Sequence, residues 1–74
     1  MQLPLASVDK LIRKAGAYRV SKDAAEELAS YLEDIATEVA EEAITLTEHA
    51  GRKTVKSEDV KLAKKRLSGT LGNI

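Results

Sequence analysis

The sequence predicts an all-α fold, ordered short helix, loop, long helix, loop, short helix, that one copy of the chain cannot complete. The first observation is the run SKDAAEELASYLEDIATEVAEEAITLTEHA, from Ser21 to about Ala50, which contains no proline or glycine. The second is its apolar pattern. Ala25, Leu28, Leu32, Ile35, Val39, Ala43, Leu46 and Ala50 recur at the three-and-four spacing of an amphipathic helix. The third is length. At 1.5 Å per residue this helix spans about 42 Å, more than a 74-residue chain needs to cross its own core. The flanking segments are too short to cover the stripe, so its natural cover is a second copy, in an obligate dimer.

Composition agrees with a small helical domain. Alanine, leucine, glutamate and lysine are abundant, and Tyr18 and Tyr31 are the only aromatic residues. A core of this size is marginal alone. There is no cysteine, which excludes disulfides, thiol chemistry and cysteine-zinc sites and fits a reducing interior. The start MQLPLASV lacks the basic region and apolar run of a signal peptide, and no apolar run reaches membrane-spanning length. A cytoplasmic protein is the expectation. No glycine-rich phosphate loop, paired metal ligands or nucleophile-base set is present, so neither enzyme, cofactor nor metal site is expected.

The first helix runs from about Pro4 to Ala15. Proline suits a first helical turn and Gly16 a C-terminal stop. Leu5, Val8, Leu11, Ile12 and Ala15 form its apolar face, and Lys10, Arg13 and Lys14 share the other side. The loop GAYRV follows, with Arg19 and Val20 extended, and Ser21 caps the long helix through its hydroxyl. Gly51 ends that helix in a left-handed cap. After the loop RKTVK, Ser57 caps the last helix, which runs to about Leu67 and turns Val60, Leu62, Ala63 and Leu67 inward. Glu58 and Asp59 complement its positive end, and Lys64, Lys65 and Arg66 its negative end. Ser68 and Gly69 stop it. The tail TLGNI is expected to fray, with Leu71 and Ile74 available for packing. Residues 1–67 thus form one domain and residues 68–74 a short tail.

Net charge is zero, but the charges are segregated. Lys10, Arg13, Lys14, Arg19 and Lys22 precede an interval, Asp23 to Gly51, with no lysine or arginine and nine acidic residues: Asp23, Glu26, Glu27, Glu33, Asp34, Glu38, Glu41, Glu42 and Glu48. Arg52, Lys53, Lys56, Lys61, Lys64, Lys65 and Arg66 follow. Each run alone reads as a solvated helix face. Together they point to anion recognition, since the local field matters more than the total.

LPLASVDKLIRKAGAYRVS, HAGRKTVKSEDVKLA and the helix lengths between them resemble an archaeal histone over residues 2–67. AG-x-x-RVS, HAGRKT and SEDVKLA stand in the family's order and spacing. The resemblance implies a histone fold. Two chains clasp head to tail, their long helices cross, and each first loop pairs with the partner's second. That would gather the loop cations at each end of the dimer, beside the anion-binding start of the long helix at Ser21. It would also bring Lys10 and Arg13 of both chains together at mid-dimer, along a face that duplex DNA must bend to follow.

Residue roles are implied in the same way. Arg19 matches an arginine entering the minor groove, with Thr54 orienting it; the plain alternative is a surface arginine capping a neighbouring loop. Lys10, Arg13, Lys53 and Lys56 match phosphate contacts, with Lys14 a weaker candidate. Arg52 and Asp59 match an intrachain ion pair that shapes the second loop, assigned geometry more than stability because an exposed pair adds little. Leu46, His49, Asp59 and Leu62 match a dimer–dimer interface, the plain alternative for His49 being a satisfied helix-end residue. Gly16 matches a small residue that lets successive superhelical turns approach, so tetramers or polymers are implied.

The chain departs from the family in mid-helix, where Thr37 and Thr45 stand at positions commonly basic, and at Glu48 beside His49. Its neutral total and its tail are further departures. They predict weaker, more salt-sensitive DNA binding and altered dimer–dimer assembly. Two readings result: an architectural histone that bends or wraps double-stranded DNA with little sequence preference, and a histone-fold interaction subunit that dimerises, with itself or a paralogous histone, to modulate chromatin or transcription without wrapping DNA.

Overall fold

The computed structural model describes residues 3–68 and contains three helices: α1 (Leu5–Lys14), α2 (Lys22–His49) and α3 (Ser57–Leu67). No strand occurs among the described residues, and the architecture is all-α as expected. The helix limits agree with the expected ones to within a residue at each end. Gly69 and the TLGNI segment, including Leu71 and Ile74, lie outside the described residues. The chain divides into two compact units, one ending at Asp34 and the other beginning at Ile35.

The first unit is built on α1 and the opening turns of α2. Pro4 occupies the N-cap of α1 with φ −59°, the angle its ring fixes. Val8, Ala25 and Ala29 are buried together, with Leu5, Ile12, Val20 and Leu28 packed around them. Two residues expected on the inner face of α1 are not there: Leu11 is 53% exposed and Ala15 is also exposed. α1 ends in a Schellman motif, in which the Gly16 N–H donates to the Arg13 carbonyl and the Ala17 N–H to the Ile12 carbonyl. Gly16 adopts φ +125° there, a conformation that residues with a Cβ rarely reach.

The second unit repeats this ending. Gly51, at φ +73°, donates to the Glu48 carbonyl, and the Arg52 N–H donates to that of Thr47. Ala43, Thr47, Asp59 and Ala63 are buried in this unit. Arg66 of α3 reaches Glu42 of α2 at 3.1 Å. Two expectations for α3 need correction. Lys56, not Ser57, is the N-cap, because the Asp59 carboxylate reaches back to accept the Lys56 backbone N–H at 2.8 Å. Val60 and Leu62 are 37% and 46% exposed; only Ala63 and Leu67 turn in.

The apolar stripe of α2 stays unfinished. Leu28, Leu32, Ile35, Val39 and Leu46 are half-buried, and Ala50 is exposed. Among the described residues the buried hydrophobic side chains are Val8 and four alanines. Fully burying a large aliphatic side chain gains about 1.5–3 kcal/mol, and the isolated chain leaves much of that gain unrealised.

Candidate nucleic-acid interface

The candidate residues sit on two loops and the helix ends that frame them. In the first unit, Arg13 lies in the last turn of α1 and does two jobs. Its carbonyl receives the Gly16 N–H. Its guanidinium donates from Nε to Asp9 Oδ2 at 2.8 Å and from Nη1 to the Tyr18 carbonyl at 3.1 Å. The loop is thus tied down one residue before Arg19. Arg19, Lys10 and Lys14 are exposed, and Tyr18 is 87% exposed.

Ser21 accepts the Ala24 N–H on Oγ at 3.1 Å and so caps α2. A hydroxyl carries no charge, so the positive end of the helix dipole is compensated only by Asp23 in its first turn.

In the second unit the corresponding arginine is Arg52. Nη1 donates to the Thr54 carbonyl at 3.0 Å and to Asp59 Oδ2 at 2.8 Å, and Nη2 donates to Asp59 Oδ1 at 2.7 Å. The carboxylate also accepts the Thr47 hydroxyl at 3.0 Å and the Lys56 N–H. Thr47 in turn donates to the Ala43 carbonyl at 2.8 Å. Asp59 is 5% exposed, so this pair is not the exposed one expected from sequence. The Arg52 guanidinium beside it, then the Lys56 N–H and the Thr47 hydroxyl, hold its carboxyl well below the ordinary carboxylate range, outweighing burial. Asp59 also raises the pKa of Arg52.

This network leaves Lys53, Thr54 and Lys56 exposed around a fixed backbone. It also differs from the start of α2. The Asp59 carboxylate neutralises the head of α3, and the side chains of Lys53 and Lys56 are exposed beside it.

His49 and Leu62 are exposed, Leu46 is half-buried, and Asp59 is committed to its own loop. Gly16 has open space where a Cβ would stand, so its backbone angle, not crowding, requires glycine in the single chain. An open cavity of about 250 Å³ is lined by Glu38, Glu41, Glu42, Thr45 and Leu67, a setting that repels phosphate.

Sequence reasoning missed Asp9 and Thr47. Asp9 was detectable, since an acid four residues before an arginine on one helix is a pairing signal. Thr47 was not, because twelve positions separate it from Asp59.

A profile of the family described as histone-like transcription factor (CBF/NF-Y) and archaeal histone matches residues 1–63. The chain belongs to this histone family. It is 62% identical over 64 residues to a subunit of the archaeal histone HAN1 of Thermococcus zilligii, covering 86% of this chain and 96% of that one. Identity to probable archaeal histone 3 of Methanocaldococcus jannaschii is 50% over 62 residues, covering 84% and 92%. Histone H4 of Dictyostelium discoideum is 38% identical over 65 residues, with 88% of this chain aligned to 60% of H4. This histone is accordingly an architectural, chromosome-associated DNA-binding protein and not an enzyme, and dimerisation is typical of its family. None of its helices, among the described residues, is long and apolar enough to cross a membrane.

Proposed function

We propose that this histone pairs head to tail and bends duplex DNA, with little sequence preference, along the face that carries its loop cations. Residues 1–67 would form the paired domain and 68–74 an appended tail, acting on the nucleoid in the cytoplasm. The observation that carries this reading is the construction of the two loops. In each, an arginine is bonded to a loop carbonyl, at Tyr18 or Thr54, beside exposed side chains of the opposite charge to phosphate. The half-buried stripe of α2 supports a second chain as its cover. Arg19 enters the minor groove with Thr54 beside it, the Ser21 cap presents the start of α2 to a phosphate, and Lys10, Lys53 and Lys56 face the backbone. Such binding reads charge and deformability, not base edges.

Larger assemblies would form through Leu46, His49, Asp59 and Leu62, with Gly16 allowing successive turns to approach. His49→Ala should then shorten the crosslinking ladder on DNA while dimers persist; an unchanged ladder would remove the assigned interface.

Electrophoretic shift on random-sequence duplex tests the central reading. With about six phosphates neutralised per dimer, log affinity should fall against log salt with a slope of about −5, and Arg19→Ala should weaken binding. A slope near zero contradicts it.

The acidic α2 favours a second reading, a subunit that pairs with a paralogous histone and modulates chromatin without wrapping DNA. The Thermococcus relative is itself named as a subunit of its histone, which supports a paralogue as partner. An intact dimer that gives no shift at low salt would decide for this reading.

A further inference from the structure

The geometry points to Asp9 and Arg13 as a positioning pair that holds the first loop in its DNA-presenting form, with Arg13 serving the loop and not a phosphate. This rests on the proposed role of Arg19 and goes beyond it. The guanidinium of Arg13 is already engaged, through Nε with Asp9 Oδ2 at 2.8 Å and through Nη1 with the Tyr18 carbonyl at 3.1 Å. Its own carbonyl takes the Gly16 N–H. One residue therefore fixes the loop at both ends, at Gly16 where the chain turns and at Tyr18 immediately before Arg19.

The second loop shows the same device in stronger form. There Arg52 binds a loop carbonyl and is held by an aspartate, and the exposed cation beside it is another residue, Lys53. By the same division of labour, Arg13 is the holder in the first loop and Arg19 the presented cation. Asp9 contributes by fixing the guanidinium in the plane that reaches Tyr18, although its negative charge near DNA would by itself oppose binding. The acid is useful only if positioning outweighs that repulsion.

A lysine carries the same charge but lacks the planar fork that binds two acceptors at once. Arg13→Lys should therefore weaken DNA binding about threefold to tenfold, the range expected for losing one or two exposed hydrogen bonds, with the salt slope unchanged. Asp9→Asn should also weaken binding, although it removes a negative charge. The measurement is duplex affinity across a salt series for wild type, Arg13→Lys, Asp9→Asn and Arg19→Ala, with dimers verified by crosslinking. If Arg13→Lys binds like wild type, or Asp9→Asn binds more tightly, Arg13 is a phosphate ligand and the inference is overturned. If Arg19→Ala alone leaves affinity unchanged, the role of the first loop fails and this inference with it. That outcome is distinguishable because it appears in the Arg19 arm. Slow exchange of the Arg13 Nε proton in free protein, lost in Asp9→Asn, is the expected spectroscopic signature; fast exchange in wild type would count against the pair.

Discussion

The two loops of this histone solve one problem with different strength. Each follows a glycine in a left-handed or otherwise positive-φ cap, each has a carbonyl tied by an arginine, and each arginine is paired with an aspartate. In the first loop the aspartate lies on the same helix, four residues earlier, and the side chains of Arg13 and Asp9 are 51% and 34% exposed. In the second the aspartate belongs to the next helix, is buried, and gathers four donor groups from Arg52, Thr47 and Lys56. The lesson is that an ion pair's partner location decides its task. A pair within one helix orients a neighbouring segment, whereas a buried carboxylate that gathers a loop arginine and a hydroxyl of the preceding helix also joins two helices.

Asp59→Asn should separate the two loops most clearly. The buried cluster would lose its charge and one acceptor, and among the substitutions considered this one should lower the thermal midpoint most. The effect should depend on pH in a defined direction. Because Arg52 holds the Asp59 carboxyl below its ordinary value, its stabilisation is complete above the unfolded pKa, about 4. It is lost as pH falls from there toward the folded value. Melting wild type and variant at pH 7 and at successively lower pH should show a gap that closes in acid. A constant gap would assign the effect to shape and not charge.

Thr47→Val comes next. It keeps the side-chain volume and removes one donor to a charged acceptor, so urea unfolding should report a loss of roughly 1–2 kcal/mol. A neutral result would detach Thr47 from the network. The smallest expected effect is that of Asp9→Asn on stability, about 0.3–0.5 kcal/mol for an exposed pair one helical turn apart. A loss as large as that of Asp59→Asn would mean the two loops are held alike.

Much of the architecture was legible. The glycine stops at Gly16 and Gly51, the serine cap at Ser21 and the uninterrupted run between them located α1 and α2 from local chemistry alone. Val60 and Leu62 were misplaced because periodicity shows which residues share a helix face, not whether the same chain covers it. The start of α3 was misread because a serine at Ser57 is the usual capping signal, yet Asp59 at the third helical position supplied the acceptor. At the candidate interface, the exposed cations could be named from the family resemblance. So could the Arg52–Asp59 pair, but not Thr47 beneath it, because Thr47 and Asp59 meet only after the chain turns, nor the burial of Asp59, which depends on the packing of α3.

An interior of one valine and four alanines among the described residues would tie this histone's durability to its abundance. Where folding and pairing share one equilibrium, heat tolerance rises with the logarithm of concentration. Unmated copies, with their leucines still open to water, would then be the ones proteases reach first. The chromosome, by absorbing mated pairs, would set its own supply.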